Sequence, residues 1–196
     1  MSTGKPLRAD ARRNRARVLA AAEEVFAEHG TGASTEQVAR QAGVGVGTVF
    51  RHFPTKEDLL TAVFLERLRR AADEGRRLAA RDDPGQAFFD FFQLSVDLAQ
   101  GKNAFAEALA AHGLDPVELA NRSTDESAPA VAQQLREVMD DLLRRAQQSG
   151  AVRSDVTPEE FKLVLIGAGQ AAAQAGQDGA ARARVAALIS DGLRPR

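Results

Sequence analysis

Apolar residues recur at helical spacing along almost all of this 196-residue chain, and no run alternates with period two for long enough to build a sheet. Val18, Ala21, Ala22, Val25 and Phe26 keep the i, i+3, i+4, i+7, i+8 rhythm of an amphipathic helix, which His29-Gly30 should stop. Ser34 or Thr35 then caps a short helix over 36–41, Gly43 breaks it, and 44–53 supplies a third. Pro54 ends that one, and Thr55 caps a long helix over 56–80 with Leu59, Leu60, Val63, Phe64 and Leu68 on one stripe. Asp82-Asp83-Pro84-Gly85 reads as a turn. Further helices are expected over 86–100, 103–112, 128–149, 158–175 and 180–193, with a short one inside a loop at 115–127. The fold class is therefore all-α. A helical head over 1–58 is joined through the long helix to a helical domain over 59–196.

The chain has no cysteine, which excludes disulfides, thiolate metal sites and cysteine nucleophiles. Its longest apolar run, 163–169, has seven residues, far short of the roughly 18 that a membrane span needs. The N-terminus is basic but lacks an apolar signal core, so the expected compartment is the cytoplasm, with no membrane partner. The net charge of −1 hides an asymmetry. Lys5, Arg8, Arg12, Arg13, Arg15 and Arg17 face only Asp10 within the first 20 residues, a local charge of +5 on a body of −6. A basic arm of this kind suits a polyanion; a solvated tail would read the same way.

The segment Ala39-Arg-Gln-Ala-Gly43-Val44-Gly-Val-Gly-Thr48-Val49-Phe50-Arg51-His52-Phe53 has the spacing of a helix-turn-helix. Ala39 is small enough for two helices to approach, and Gly43 can take the left-handed turn. Val44 fills the space between the helices, and Val49 anchors the second from beneath. Val46, Gly47, Thr48, Phe50 and Arg51 are thereby left for the outer and flanking faces. Small and polar residues at the start of such a helix suit close approach to base edges in a major groove.

With Phe26-Ala-Glu-His-Gly30 before it and Lys56-Glu57-Asp58-Leu59-Leu60 after it, this segment resembles the TetR family of transcriptional regulators over about the first 60 residues. The resemblance implies a DNA-reading head and a divergent second domain for dimerisation and a small-molecule effector. It places Thr35 and Lys56 at helix starts that meet backbone phosphates, a role their chemistry suits. It puts Val46, Gly47, Thr48 and Phe50 at groove-facing positions, and Arg51 and His52 at flanking phosphates. Two departures stand out. Gly45 occupies the place of the usual capping Ser, and Phe50 that of the usual Tyr, so a hydroxyl is lost where a ring could touch a thymine methyl.

Other readings carry less. Gly43-Val-Gly-Val-Gly47 lacks the Lys-Ser or Lys-Thr and the preceding strand of a phosphate loop. His29, His52 and His112 are too scattered for a metal site, so no metal or other cofactor is expected. Glu107, Asp140, Asp141, Glu159 and Glu160 are helix-face charges without a nucleophile, so no catalytic site is expected. Phe88, Phe89, Phe91, Phe92 and Phe105 are half of the ten Phe residues. They form either plain core or, as Phe88, Phe91, Phe92 and Phe105 with His112, the lining of an apolar effector pocket. Phe161, Val164, Leu165, Ala168 and Ala172, then Val185, Leu188, Ile189 and Gly192, form two stripes suited to a two-fold four-helix interface. The sequence thus points to a homodimeric regulator of double-stranded DNA with a roughly palindromic operator, a repressor relieved by an unknown small molecule. The alternative is a helical-bundle interaction module without DNA affinity.

Overall fold

The computed structural model describes residues 4–111, 127–176 and 178–195. Among these it contains no strand and eight α-helices: α1 (Gly4–His29), α2 (Thr35–Ala42), α3 (Val46–His52), α4 (Lys56–Ala79), α5 (Pro84–Ala111), α6 (Ala128–Gln148), α7 (Pro158–Gln174) and α8 (Gly179–Asp191), with a 3-10 turn at Gly30–Gly32. The all-α expectation holds. Two compact units emerge, one of the helices up to Glu66 with the end of α5 from Ala104, the other of Arg67–Asn103 with the residues from Pro129 onward. The division falls inside α4, between Glu66 and Arg67.

Local chemistry explains most boundaries. Gly30 takes φ +67° where α1 stops. Thr55 and Asp58 cap α4 reciprocally, the Thr55 N–H donating to Asp58 Oδ2 at 3.0 Å and the Asp58 N–H to Thr55 Oγ1 at 3.0 Å. Asp83 caps α5 by accepting from the Gln86 N–H at 2.9 Å, with Pro84 at the first helical position. Thr157 and Glu160 do the same for α7, at 2.8 and 3.2 Å.

Three boundaries differ from expectation. The basic arm is helical from Gly4. The third helix starts at Val46 rather than 44, because the Val44 N–H turns back to the Ala39 carbonyl. Gly101 does not divide α5, which runs unbroken through it; a single glycine costs only about 1 kcal/mol in a helix and can be carried by its neighbours. The expected short helix at 115–127 lies, but for Ser127, outside the described residues.

The core of the first unit joins α1 to α4 through Val18, Ala22, Val38, Val49 and Leu59, all fully buried. In the second unit Phe88, Phe91 and Phe92 lie fully buried with Leu142, Leu143 and Phe161. The rings of Phe88 and Phe161 are 4.8 Å apart, and Phe89 meets Phe88 edge-on at 5.2 Å. Gly75 permits this packing, since a Cβ there would stand 2.4 Å from Val138 Cγ1 and 2.9 Å from Phe91 Cε2.

The two C-terminal stripes sort by depth. Phe161, Leu165, Ala168 and Ala172 of α7 are buried within their own unit, as are Ala186 of α8 and Leu193 just beyond it. Leu163, Ile166 and Leu188 are instead exposed, at 66%, 49% and 60%. The outward apolar face therefore belongs to these three residues, and Leu165 belongs to the core.

Candidate nucleic-acid interface

The turn between α2 and α3 is built from backbone geometry that only glycine takes easily. Gly43 sits at φ +64°, ψ 38°, and its N–H donates to the Arg40 carbonyl at 3.1 Å while the Val44 N–H reaches the Ala39 carbonyl at 3.0 Å. Together these two bonds satisfy the last carbonyls of α2 in a Schellman ending. Val44 packs half-buried on the core, and Val49 is fully buried beneath α3. Ala39, Val44 and Val49 thus do what their spacing predicts.

At the other end of α2 the structure selects Ser34 as the cap. Its Oγ accepts from the Gln37 N–H at 3.3 Å, and its own N–H donates to Gln37 Oε1 at 2.7 Å. Thr35 is the first helical residue and only 8% exposed. Glu36 beside it is exposed, and the Ser34 hydroxyl and a backbone N–H hold its carboxyl below the usual carboxylate range. This helix start therefore presents a negative side chain next to the position expected to meet a phosphate.

Gly45 caps α3 with no side-chain hydrogen bond, as its lack of a hydroxyl dictates. Only the Thr48 N–H closes the first turn, on the Gly45 carbonyl at 2.8 Å. Along α3, Val46, Gly47, Phe50 and Arg51 are exposed, while Thr48 and His52 are half-buried. Lys56 opens α4, also half-buried.

Two residues of the basic arm have roles that the sequence did not disclose. Arg17 donates from Nη2 to the Ala42 carbonyl at 2.7 Å, tying α1 to the end of α2. The Arg15 guanidinium lies over the Phe53 ring at 5.3 Å, holding the end of α3. Gln41 adds a third tie, donating to Glu24 Oε2 at 2.8 Å. Arg15 and Arg17 are thus engaged with the helix-turn-helix, and neither contact leaves a sequence signal beyond the charge itself.

A surface helix packed against α1 and α2, with cations on its flank, matches known proteins. Residues 18–63 match the family model for bacterial regulatory proteins of the tetR family, and residues 83–195 match that of the SbtR-like transcriptional regulator C-terminal domain. The chain belongs to the TetR family of DNA-binding transcriptional regulators. Among solved structures, it is 39% identical to a TetR transcription regulatory protein from Mycobacterium vanbaalenii, covering 97% of this chain and 100% of that one with a TM-score of 0.74. The TetR transcriptional regulator SCO0520 from Streptomyces coelicolor is 33% identical, over 92% and 98% of the two chains, at a TM-score of 0.71. The HTH-type transcriptional regulator UidR of Escherichia coli (strain K12) is 27% identical over 167 residues, 82% of this chain and 80% of that one.

In this TetR-family chain, three of the five residues assigned to an effector pocket, Phe88, Phe91 and Phe92, are brought together in the core of the second unit. The Phe105 side chain and His112 lie outside the described residues. The Arg194 guanidinium stacks over Phe89 at 4.1 Å, closing the chain end onto the rim of the aromatic cluster. Among the described residues no three His, Cys, Asp or Glu side chains gather as metal ligands, and no helix is long and apolar enough to cross a membrane.

Proposed function

We propose that this regulator is a homodimeric repressor of the cytoplasm that leaves a roughly palindromic operator when a small apolar effector binds. Residues 1–58 read the DNA. Val46, Gly47, Thr48 and Phe50 enter the major groove, and Thr35, Arg51, His52 and Lys56 meet phosphates. Residues 59–196 dimerise and take the effector. The observation that carries the reading is the outward face of α3, seated on Val49 and fixed at its start by the Gly43 turn. Leu163, Ile166 and Leu188 supply an apolar face for a second copy.

The effector site is assigned to the second unit, at Phe88, Phe91 and Phe92. These three rings are wholly buried, so a ligand must part them. It binds better to a conformer in which they are already apart and shifts the population toward that conformer. The reading heads of such a dimer no longer match the half-site spacing. Selection of genomic fragments with the purified protein, followed by titration of the selected duplex over a salt series, tests the reading. A monomer whose duplex binding shows neither sequence preference nor salt dependence would sink it and leave the helical interaction module.

A further inference from the structure

Among the described residues only five large apolar side chains are well exposed, and two of them, Val46 and Phe50, share the seven-residue α3 at 39% and 43% exposure. They stand four positions apart, so they lie one above the other on a single helix face. Exposing them gives nothing back to the fold. The same helix is weakened further by Gly45 at its cap and Gly47 in its first turn. Neither takes a positive φ, and a Cβ at either position would meet nothing within 4 Å. Packing therefore demands neither glycine, and Gly47, inside the helix, also runs against helix propensity. All four residues are explained together if the surface is shaped for something outside the protein.

Its chemistry narrows what that is. The α3 residues assigned to the groove carry one hydroxyl, on Thr48, and no amide, carboxylate or cation. Guanine is read by the forked donors of Arg or by Lys, adenine by Asn or Gln, and cytosine by a carboxylate. The one base-edge group left for Val46 and Phe50 is the C5-methyl of thymine, an apolar knob in the major groove. Arg51, exposed beside them, and Lys56 at the next helix start supply the charge that a phosphate backbone demands.

We infer that Val46 and Phe50 select the operator by contact with pyrimidine C5-methyl groups, and that Gly45 and Gly47 leave the room for the duplex to come that close. The inference rests on the reading of α3 as the groove-facing helix and adds what that helix recognises.

The experiment starts from a random-sequence duplex library selected with the full-length protein. The enriched half-site is then resynthesised with deoxyuridine for thymidine, which removes only the methyl group. Affinity is expected to fall about fourfold for each contacted methyl, the worth of one buried carbon. Replacing a sensitive T·A pair by C·G should weaken binding, and 5-methylcytosine·G at the same place should restore part of it. Val46→Ala with Phe50→Ala, two exposed truncations that spare the core, should bring the thymidine-to-deoxyuridine ratio close to one. Equal wild-type affinity for the thymidine and deoxyuridine duplexes, with selection intact, overturns the methyl reading alone. Failure to enrich any sequence overturns it together with the groove-facing assignment of α3.

Discussion

The Arg17 guanidinium and the Ala42 carbonyl, twenty-five positions apart, are joined by a 2.7 Å hydrogen bond from Nη2. The bond falls where α2 ends and its last carbonyls carry the negative end of the helix dipole. The same Nη2 lies 3.0 Å from where a Gly43 Cβ would stand. One side chain from α1 therefore grips the turn that aims α3, and the turn has room for it because residue 43 is glycine.

Arg17→Met should destabilise the first unit by about 1.5–3 kcal/mol, the worth of a charge-assisted bond at a partly buried carbonyl, and weaken operator binding. Arg17→Lys, which keeps one donor and the charge, should recover part of both. The salt slope of binding separates this role from a phosphate contact. It should stay at the wild-type value in Arg17→Met, whereas a lost phosphate contact flattens it by about 0.9 units per protomer. Gly43→Ala should cost about 1–2 kcal/mol for forcing a Cβ into the left-handed region, measurable by denaturant unfolding.

In the second unit Gly75→Ala should be strongly destabilising, because the new Cβ would overlap Val138 and Phe91 at 2.4 and 2.9 Å. Overpacking of this kind costs about 1–3 kcal/mol. Val138→Ala clears the nearer atom, so the double variant should be more stable than the sum of the two single losses. Additive losses in a thermal-melt cycle would show that the packing relaxes in another way.

Leu163→Glu and Leu188→Glu should give folded monomers, since both positions are exposed in the single chain and a charge there costs only when a second copy covers it. Leu165→Glu should unfold the second unit instead, as Leu165 is 9% exposed and packed within it. Sedimentation paired with circular dichroism distinguishes the two classes. Leu163→Glu and Leu188→Glu dimers as tight as wild type would move the interface elsewhere.

Periodicity is enough to place Val18, Val38, Val49 and Leu59 in one core, because burial of one helical stripe leaves its spacing in the sequence. For Phe88, Phe91 and Phe92 the spacing says only that they share a helix face, and leaves core and pocket lining alike open. The turn was legible too, since Gly43 and Val44 are demanded by its backbone geometry. Side chains that cross between helices were not: Arg17 to Ala42, Arg15 over Phe53 and Gly75 against Val138 depend on which helices meet, and nothing in the spacing says so. Leu165 and Leu163 show a finer limit. Both sit in one apolar helix, and only the packed neighbours decide that the first faces the core and the second solvent. The break expected between the helices at 86–100 and 103–112 is absent for the opposite reason, because the local propensity of Gly101 is overruled by the helix around it.

At the start of α2 the ionised Glu36 stands beside Thr35, where a phosphate is expected. Glu36→Gln should therefore tighten duplex binding, by a few-fold at low salt and by little at high salt, where the repulsion is screened. The gain should be the same for operator and scrambled duplexes, since no base is involved. Unchanged low-salt affinity would mean that no phosphate approaches this helix start.

Lys56 and Gly47 separate attraction from fit at the reading head. Lys56→Ala should weaken binding to all duplexes alike, and with two copies per dimer flatten the log–log salt slope by roughly 1.8 units. Gly47→Ala should do something a stability argument alone would not predict. The added methyl meets nothing within 4 Å and improves helix propensity, so the melting temperature should rise, by the equivalent of about 0.5–1 kcal/mol. Affinity for the selected operator should nevertheless fall, since the space belongs to the duplex, while the salt slope stays near that of wild type because no charge is lost. A Gly47→Ala protein that is both more stable and equally tight on its operator would show that the duplex does not press against this face of α3.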